Sequence, residues 1–176
     1  ARAGLPIIAD EVFADFPIAP APDAVTAVAA RTGPALVFSL GGLSKASGLP
    51  QMKLGWIAAS GPDALVEPAL ANLDLVADTY LSTGTPVALA LPRLLGIGAE
   101  IRRAIAERVA RNLQALAGRI GPGSPCTLLP VEAGWSAIVR VPETVSDEEW
   151  ALRLLGEDGV LVQPGYFFDL RLGATL

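Results

Sequence analysis

The sequence predicts an α/β fold: part of a mostly parallel sheet with covering helices, followed by a smaller α+β domain. Three observations carry this. Residues 5–9, 35–40 and 54–60 are apolar runs of strand length, continuous rather than alternating, as in strands covered on both faces. Ile101, Ile105, Val109, Leu113 and Leu116 then keep a helical period, with Arg and Glu opposite. Beyond Gly121-Pro122-Gly123 the character changes to short strands around one capped helix. The chain therefore divides into residues 1–97, part of the large sheet domain, and residues 98–176, a connecting helix with an incomplete small α+β domain.

Each element has its local reason. Leu5 to Ala9 reads as a buried strand with Asp10 and Glu11 at its carboxyl end. Phe16 to Asp23 is rich in Pro and Ala and reads as a surface loop. Asp23 is placed to cap a short helix through Arg31. Ala35 to Leu40 is a second strand, running into a glycine-rich turn. Leu54 to Ser60 is a third. Pro62-Asp63 opens a helix to about Leu73, in the manner of a proline-led helix start. Thr85 to Leu95 and Gly98 to Ile120 are two further helices, the second stopped by Gly121-Pro122-Gly123. Leu128 to Pro130, Trp135 to Val141 and Val160 to Val162 read as strands. Ser146 followed by Glu149 has the form of a capping box, leading a helix through Leu155 that Gly156 and Gly159 bracket. In sheets covered on both faces, ligands sit beyond the carboxyl ends of the strands. Asp10 and the turn after the second strand both fall there.

Composition narrows the chemistry. Apolar residues are 52% and charged residues 18%, which excludes a disordered segment. The net charge of −5 argues against a nucleic-acid partner, which requires clustered Lys and Arg. No run reaches membrane-spanning length, so no membrane partner is expected. A signal peptide is not expected either, because the first apolar run is short and broken by Pro6. The chain has no His, which removes Ser-His-Asp and Cys-His catalysis and every imidazole metal site. Its single Cys126 excludes an intrachain disulfide and fits a reducing cytosol. Lys, carboxylate and Tyr chemistry remain. The absence of an initiating Met and the ending at Gly173-Ala174-Thr175-Leu176 lead us to expect a piece of a longer protein.

The only two lysines, Lys45 and Lys53, lie eight residues apart in the stretch from Gly41 to Trp56, in a chain that otherwise uses eleven arginines. An amine can lose its proton and attack a carbonyl, whereas a guanidinium in a protein cannot. An imine-forming lysine working with pyridoxal phosphate needs a carboxylate at the pyridinium nitrogen, and hydroxyls and a cation at the phosphate. Asp10, Ser44, Ser47 and Lys53 offer these groups around Lys45.

The motifs then become specific. Asp10-Glu11-Val12-Phe13 resembles the Asp-Glu-x-Tyr segment of class I/II, fold type I, pyridoxal-phosphate-dependent aminotransferases. Gly42-Leu43-Ser44-Lys45, with Gly48-Leu49-Pro50 and Lys53-Leu54-Gly55-Trp56, is similar to their Ser-x-Ser-Lys…Gly-x-Arg-x-Gly-Trp segment. The 35-residue gap from Asp10 to Lys45 matches as well. Val160 to Phe168 resembles their Val-x-Val-x-Pro-Gly-x-x-Phe. The resemblance implies the C-terminal part of the fold type I large domain, followed by the smaller domain. It implies transfer of an amino group between an amino acid and a 2-oxo acid. Lys45 would be the Schiff-base and proton-transfer residue, Asp10 the partner of the pyridinium nitrogen, and Ser44 and Lys53 phosphate contacts. Phe13 stands at the cofactor in place of a hydrogen-bonding Tyr. Gly42 replaces a phosphate-binding Ser, and Lys53 replaces an Arg, giving a point charge without the bidentate fork. Arg171 is a weak match for the substrate-carboxylate Arg. A homodimer is implied, and the segment Tyr80-Leu81-Ser82-Thr83 is read either as reaching a neighbouring subunit's site or as a buried aromatic anchor. Because the family's other cofactor contacts precede Asp10, this chain alone is expected to be inactive. Two alternatives remain open: a lyase on the same fold, and a non-catalytic ligand-sensing domain of a transcription regulator.

Overall fold

Asp10 ends the first strand, β1 (Ile7–Asp10), which pairs in parallel with β2 (Val37–Gly42) so that Asp10 lies opposite Leu40. The structure, a computed structural model, describes residues 4–25, 27–31, 33–80 and 82–176. The chain forms two compact units, Ala1–Glu107 and Arg108–Leu176.

In the first unit a third strand, β3 (Gly55–Ser60), runs antiparallel to β2, giving a three-stranded mixed sheet in the order β1-β2-β3. The β2–β3 connection holds a single helical turn, α1 (Leu43–Ala46), and a 3-10 turn at Pro50–Met52. This connection is tight, and its glycines show why. A Cβ on Gly41 would lie 2.4 Å from the indole nitrogen of Trp56, which faces it across the ladder. Gly48 has φ +63, a conformation natural to glycine.

The buried apolar residues of this unit are Phe16, Val37, Leu43 and Leu54, the last two at the two ends of the connection. Leu43 is 0% exposed. Its N–H donates to the Leu54 carbonyl at 3.0 Å, and its own carbonyl accepts from Ser47 and Leu49, both at 3.1 Å.

Two helices follow, α2 (Asp63–Thr79) and the 35-residue α3 (Thr85–Arg119). The sequence suggests a break in α3 between Leu95 and Gly98, but the helix is continuous. Gly98 is there for packing rather than for a break. A Cβ on it would sit 2.2 Å from Ser47 Oγ and 2.7 Å from Ser47 Cα, so the α1 connection presses directly on the helix backbone. Gly96 has nothing within 4 Å and lies in the helix at an ordinary propensity cost.

Two further expectations are corrected. The helix from Asp23 to Arg31 is only a 3-10 turn at Val28–Ala30, because Ala27 takes a left-handed conformation (φ 52) that ends any helix entering from Asp23. Thr26, within that expected helix, lies outside the described residues. The strands are also less covered than their continuous apolar character implies. Leu5 and Ile8 are 67% and 70% exposed.

In the second unit, β4 (Thr127–Leu128) pairs antiparallel with β5 (Val139–Arg140), and residues 174–176 bond to the other edge of β5. The helix α4 (Asp147–Asp158) begins as the capping box predicts, with the Glu149 N–H donating to Ser146 Oγ at 3.1 Å. It runs through Gly156 to a left-handed cap at Gly159. Val160 to Val162 form no strand. They leave that cap, with the Val160 N–H bonded to Leu154, and pair with no neighbour among the described residues.

The two helix glycines give a test. Gly98→Ala should destabilise by about 1–3 kcal/mol through overpacking against Ser47, outweighing its gain in helix propensity. Gly96→Ala should stabilise by up to about 1 kcal/mol. Denaturant unfolding of both variants measures the difference, and equal effects would contradict the close approach.

Candidate active site

The parallel pairing of β1 and β2 carries their carboxyl ends to the same edge of the sheet. Asp10 ends β1, and Lys45 lies in α1, directly after β2. The Asp10 carboxylate is exposed and accepts the Val12 N–H at 3.2 Å, a local turn bond that orients the residues leading to Phe13. Phe13 then reaches under the lysine: Lys45 Nζ stands 5.2 Å from the centroid of its ring. A ring face attracts an ammonium through its quadrupole. Phe13 in turn meets Phe16 edge-on, with centroids 6.5 Å apart and planes at 69°.

Ser44 and Lys53 reach this edge from the two sides of the β2–β3 connection. Gly42 pairs with Gly55, and the Leu43 N–H bonds the Leu54 carbonyl, so Ser44 and Lys53 each lie one residue beyond a bonded partner. Lys53 is exposed and left-handed, φ 49, a conformation costing a non-glycine residue on the order of 1 kcal/mol. Ser47 turns away from this edge. Fully buried, its hydroxyl donates to the Leu94 carbonyl at 3.2 Å.

The contacts of two residues, Glu11 and Arg102, have no signal in the sequence. Glu11 ties three segments together: one carboxylate oxygen accepts the Val28 N–H at 3.1 Å, and the other accepts the hydroxyl of buried Ser39 on β2. Arg102 on α3 donates from Nη1 to the Ala46 carbonyl at 2.9 Å and pairs with Asp15 at 3.4 Å. Arg102 stands next to Ile101 on the helix's apolar stripe, but nothing in the local pattern marks the turn it serves.

In the second unit the 3-10 turn Gly165–Phe168 displays Tyr166, Phe167 and Phe168, all substantially exposed. The Tyr166 N–H donates to Asp147 at 2.9 Å, and its phenol to Glu148 at 3.3 Å. Partial desolvation, then the negative charges of Glu148 and Asp147, push this phenol above its usual pKa. Gly165 admits no side chain, since a Cβ there would overlap Thr175 Oγ1. Arg171 is exposed in the same unit. Tyr80 is exposed at the end of α2, and Leu81 beside it lies outside the described residues. No cluster of three or more potential metal ligands occurs among the described residues, and no helix there is long and apolar enough to cross a membrane.

The family model described as aminotransferase class I and II matches residues 1–175. The chain belongs to this family. Its members depend in general on pyridoxal phosphate. The chain resembles alanine aminotransferase from Pyrococcus furiosus (20% identity, TM-score 0.74), covering 96% of this chain and 42% of that one. It also resembles tyrosine aminotransferase from Leishmania infantum (20%, TM-score 0.81), covering 97% and 43%. A probable N-succinyldiaminopimelate aminotransferase from Thermus thermophilus is 29% identical with TM-score 0.64, covering 95% and 43%. The chain thus spans about two-fifths of the length of these structures. No curated protein matches it. The fold is that of the C-terminal part of a fold type I aminotransferase large domain.

The Glu11 brace is testable by denaturant unfolding. Glu11→Ala strands two donors, one of them on a buried serine, and should cost about 1–3 kcal/mol. Ser39→Ala removes only one donor and should cost less. The reverse order would show that the carboxylate does not hold the two segments together.

Proposed function

We propose that this chain carries the lysine-bearing part of a pyridoxal-phosphate-dependent aminotransferase, with Lys45 as the reactive amine. The enzyme would move an amino group between an amino acid and a 2-oxo acid. The observation that carries the reading is the placement of Lys45 Nζ over Phe13 at the sheet edge where Asp10 also ends its strand. The donor set fits the cofactor: one amine, a carboxylate on the neighbouring strand, and a hydroxyl and a second ammonium across the connection. When bound, pyridoxal phosphate supplies a carbonyl carbon and an electron-withdrawing ring.

Each residue then has one task. Lys45 would be the amine that holds the cofactor, and its Nζ would carry a proton between the substrate's Cα and the cofactor's carbonyl-derived carbon. Asp10 pairs with the protonated ring nitrogen. Ser44 donates to the phosphate, and Lys53 neutralises it as a point charge rather than a fork. Phe13 offers a ring face beside Lys45 and no hydroxyl, so a hydrogen bond to the cofactor's ring oxygen from this position is absent by chemistry.

The division into residues 1–97 and 98–176 is likewise proposed, with the second part a small domain. The assembly proposed is a cytoplasmic homodimer. The apolar residues displayed on α2, such as Leu65, Leu75 and Val76, are of the kind that subunit association covers. The 176-residue chain by itself is expected to show no turnover, since it spans only part of the family's length.

The test is trapping. The full-length protein that carries this chain is incubated with pyridoxal phosphate, reduced with borohydride and mapped by peptide mass. The adduct is expected on Lys45 and lost in Lys45→Ala. Asp10→Asn should keep the adduct and lower turnover by about 10- to 100-fold, the worth of one hydrogen bond to a charged group. An adduct on Lys53 instead, or none, would sink the reading.

A further inference from the structure

We propose that Arg102 is a positioning residue for Lys45, an inference that rests on the function proposed above. Its contacts close a circuit through the site. Arg102 Nη1 donates to the carbonyl of Ala46, the residue directly after Lys45, at 2.9 Å. The same nitrogen pairs with Asp15 at 3.4 Å. Asp15 is two residues beyond Phe13, and Lys45 Nζ stands over the Phe13 ring at 5.2 Å. The path from lysine to Ala46, Arg102, Asp15, Phe13 and back to the lysine is therefore continuous. A nitrogen of the guanidinium carries two N–H groups, enough for both partners.

The geometry gives Arg102 a task that the backbone leaves undone. α1 is a single turn, and a helix end leaves carbonyls without intrahelical partners. The Leu43 carbonyl is taken by Ser47 and Leu49. The Ala46 carbonyl is taken by Arg102, which reaches it from 56 residues further along the chain. A cation at the carboxyl end of a helix is favourable in sign as well. Arg102 thus pins the lysine's turn from α3, while its other partner, Asp15, pins the loop that presents Phe13.

Exposure separates positioning from bulk stability. The Arg102 and Asp15 side chains are 30% and 53% exposed, and so open a pair adds little to global stability. Its consequence lies in where the amine is held. Misplacing a reacting group by about 1 Å costs on the order of 10²-fold in rate, and the looser turn left by removing Arg102 falls short of that.

The experiment uses the cofactor-free full-length protein. The rate at which pyridoxal phosphate forms a borohydride-trappable adduct on Lys45 is measured at a temperature far below unfolding. Arg102→Met is expected to slow it about 10-fold. Asp15→Asn is expected to slow it less, and the double variant should match Arg102→Met, since both changes cut one circuit. Amide exchange of Ser47 and Leu49, whose N–H groups close the turn, should quicken in Arg102→Met. Melting temperature is followed in parallel, because a residue that only holds the fold lowers it and leaves the folded protein's trapping rate unchanged. An Arg102→Met rate within about twofold of wild type, or losses that add in the double variant, would overturn the positioning role while leaving Lys45 in place. If Arg102→Met does not fold, Asp15→Asn decides alone, and an unchanged rate there overturns the proposal. A wild-type protein with no adduct on Lys45 overturns both this inference and the function beneath it.

Discussion

The first unit depends on one residue's burial and bonding. Leu43 opens the turn that carries Lys45. Its side chain is wholly enclosed, its N–H is bonded to Leu54, and its carbonyl accepts from both Ser47 and Leu49. Burying a leucine contributes about 1.5–3 kcal/mol, more than any single surface contact in the unit. The rest follows from seating this turn. Ser47 lies against Gly98, Gly48 faces Ile101 and Ile105, and β3 returns beside β2 so that Trp56 covers Gly41. A lysine on such a turn has a fixed backbone, and its Nζ stands over the Phe13 ring.

Much of this was legible because it is local. The three strands stand where continuous apolar runs placed them, since strand propensity is set locally, although β1 and β3 are more exposed than those runs imply. The α4 start was readable from Ser146 and Glu149, because a capping box is satisfied within four residues. What failed was decided by tertiary contacts. A helix from Asp23 was plausible on its cap alone, but Ala27 is left-handed and the Glu11 carboxylate takes the Val28 N–H. The stretches read as two helices, Thr85 to Leu95 and Gly98 to Ile120, are one continuous helix. A long helix tolerates Gly96 and Gly98 at about 1 kcal/mol each, and Gly98 is needed where Ser47 presses. Val160 to Val162 had strand composition without a strand to pair with.

The candidate site divides in the same way. Asp10 and Lys45 are singled out by motif, and the β1–β2 pairing brings residues 35 apart to one edge. In sequence Phe13 is only a missing hydroxyl, whereas in the structure its ring lies 5.2 Å from Lys45 Nζ. Ser47 looked equivalent to Ser44 in sequence and is not, because one is sealed against α3 and the other stays at the edge. Glu11 and Arg102 had no sequence signal. Their partners lie 17 to 87 residues away, and no periodicity encodes such distances.

Two kinds of interaction hold Lys45, and their magnitudes assign them different consequences. The buried contacts of Leu43 and Ser47 decide whether the turn exists. The Phe13 ring and the Arg102–Asp15 pair are partly exposed, and such contacts contribute about 0.5–1 kcal/mol each. That is too little to determine the fold. It is enough to bias the direction of a long flexible side chain, whose immobilisation costs up to about 2 kcal/mol in rotamer entropy. On the function proposed above, contacts of this size can place the amine and still let it move, which is what an amine that bonds and then carries a proton has to do.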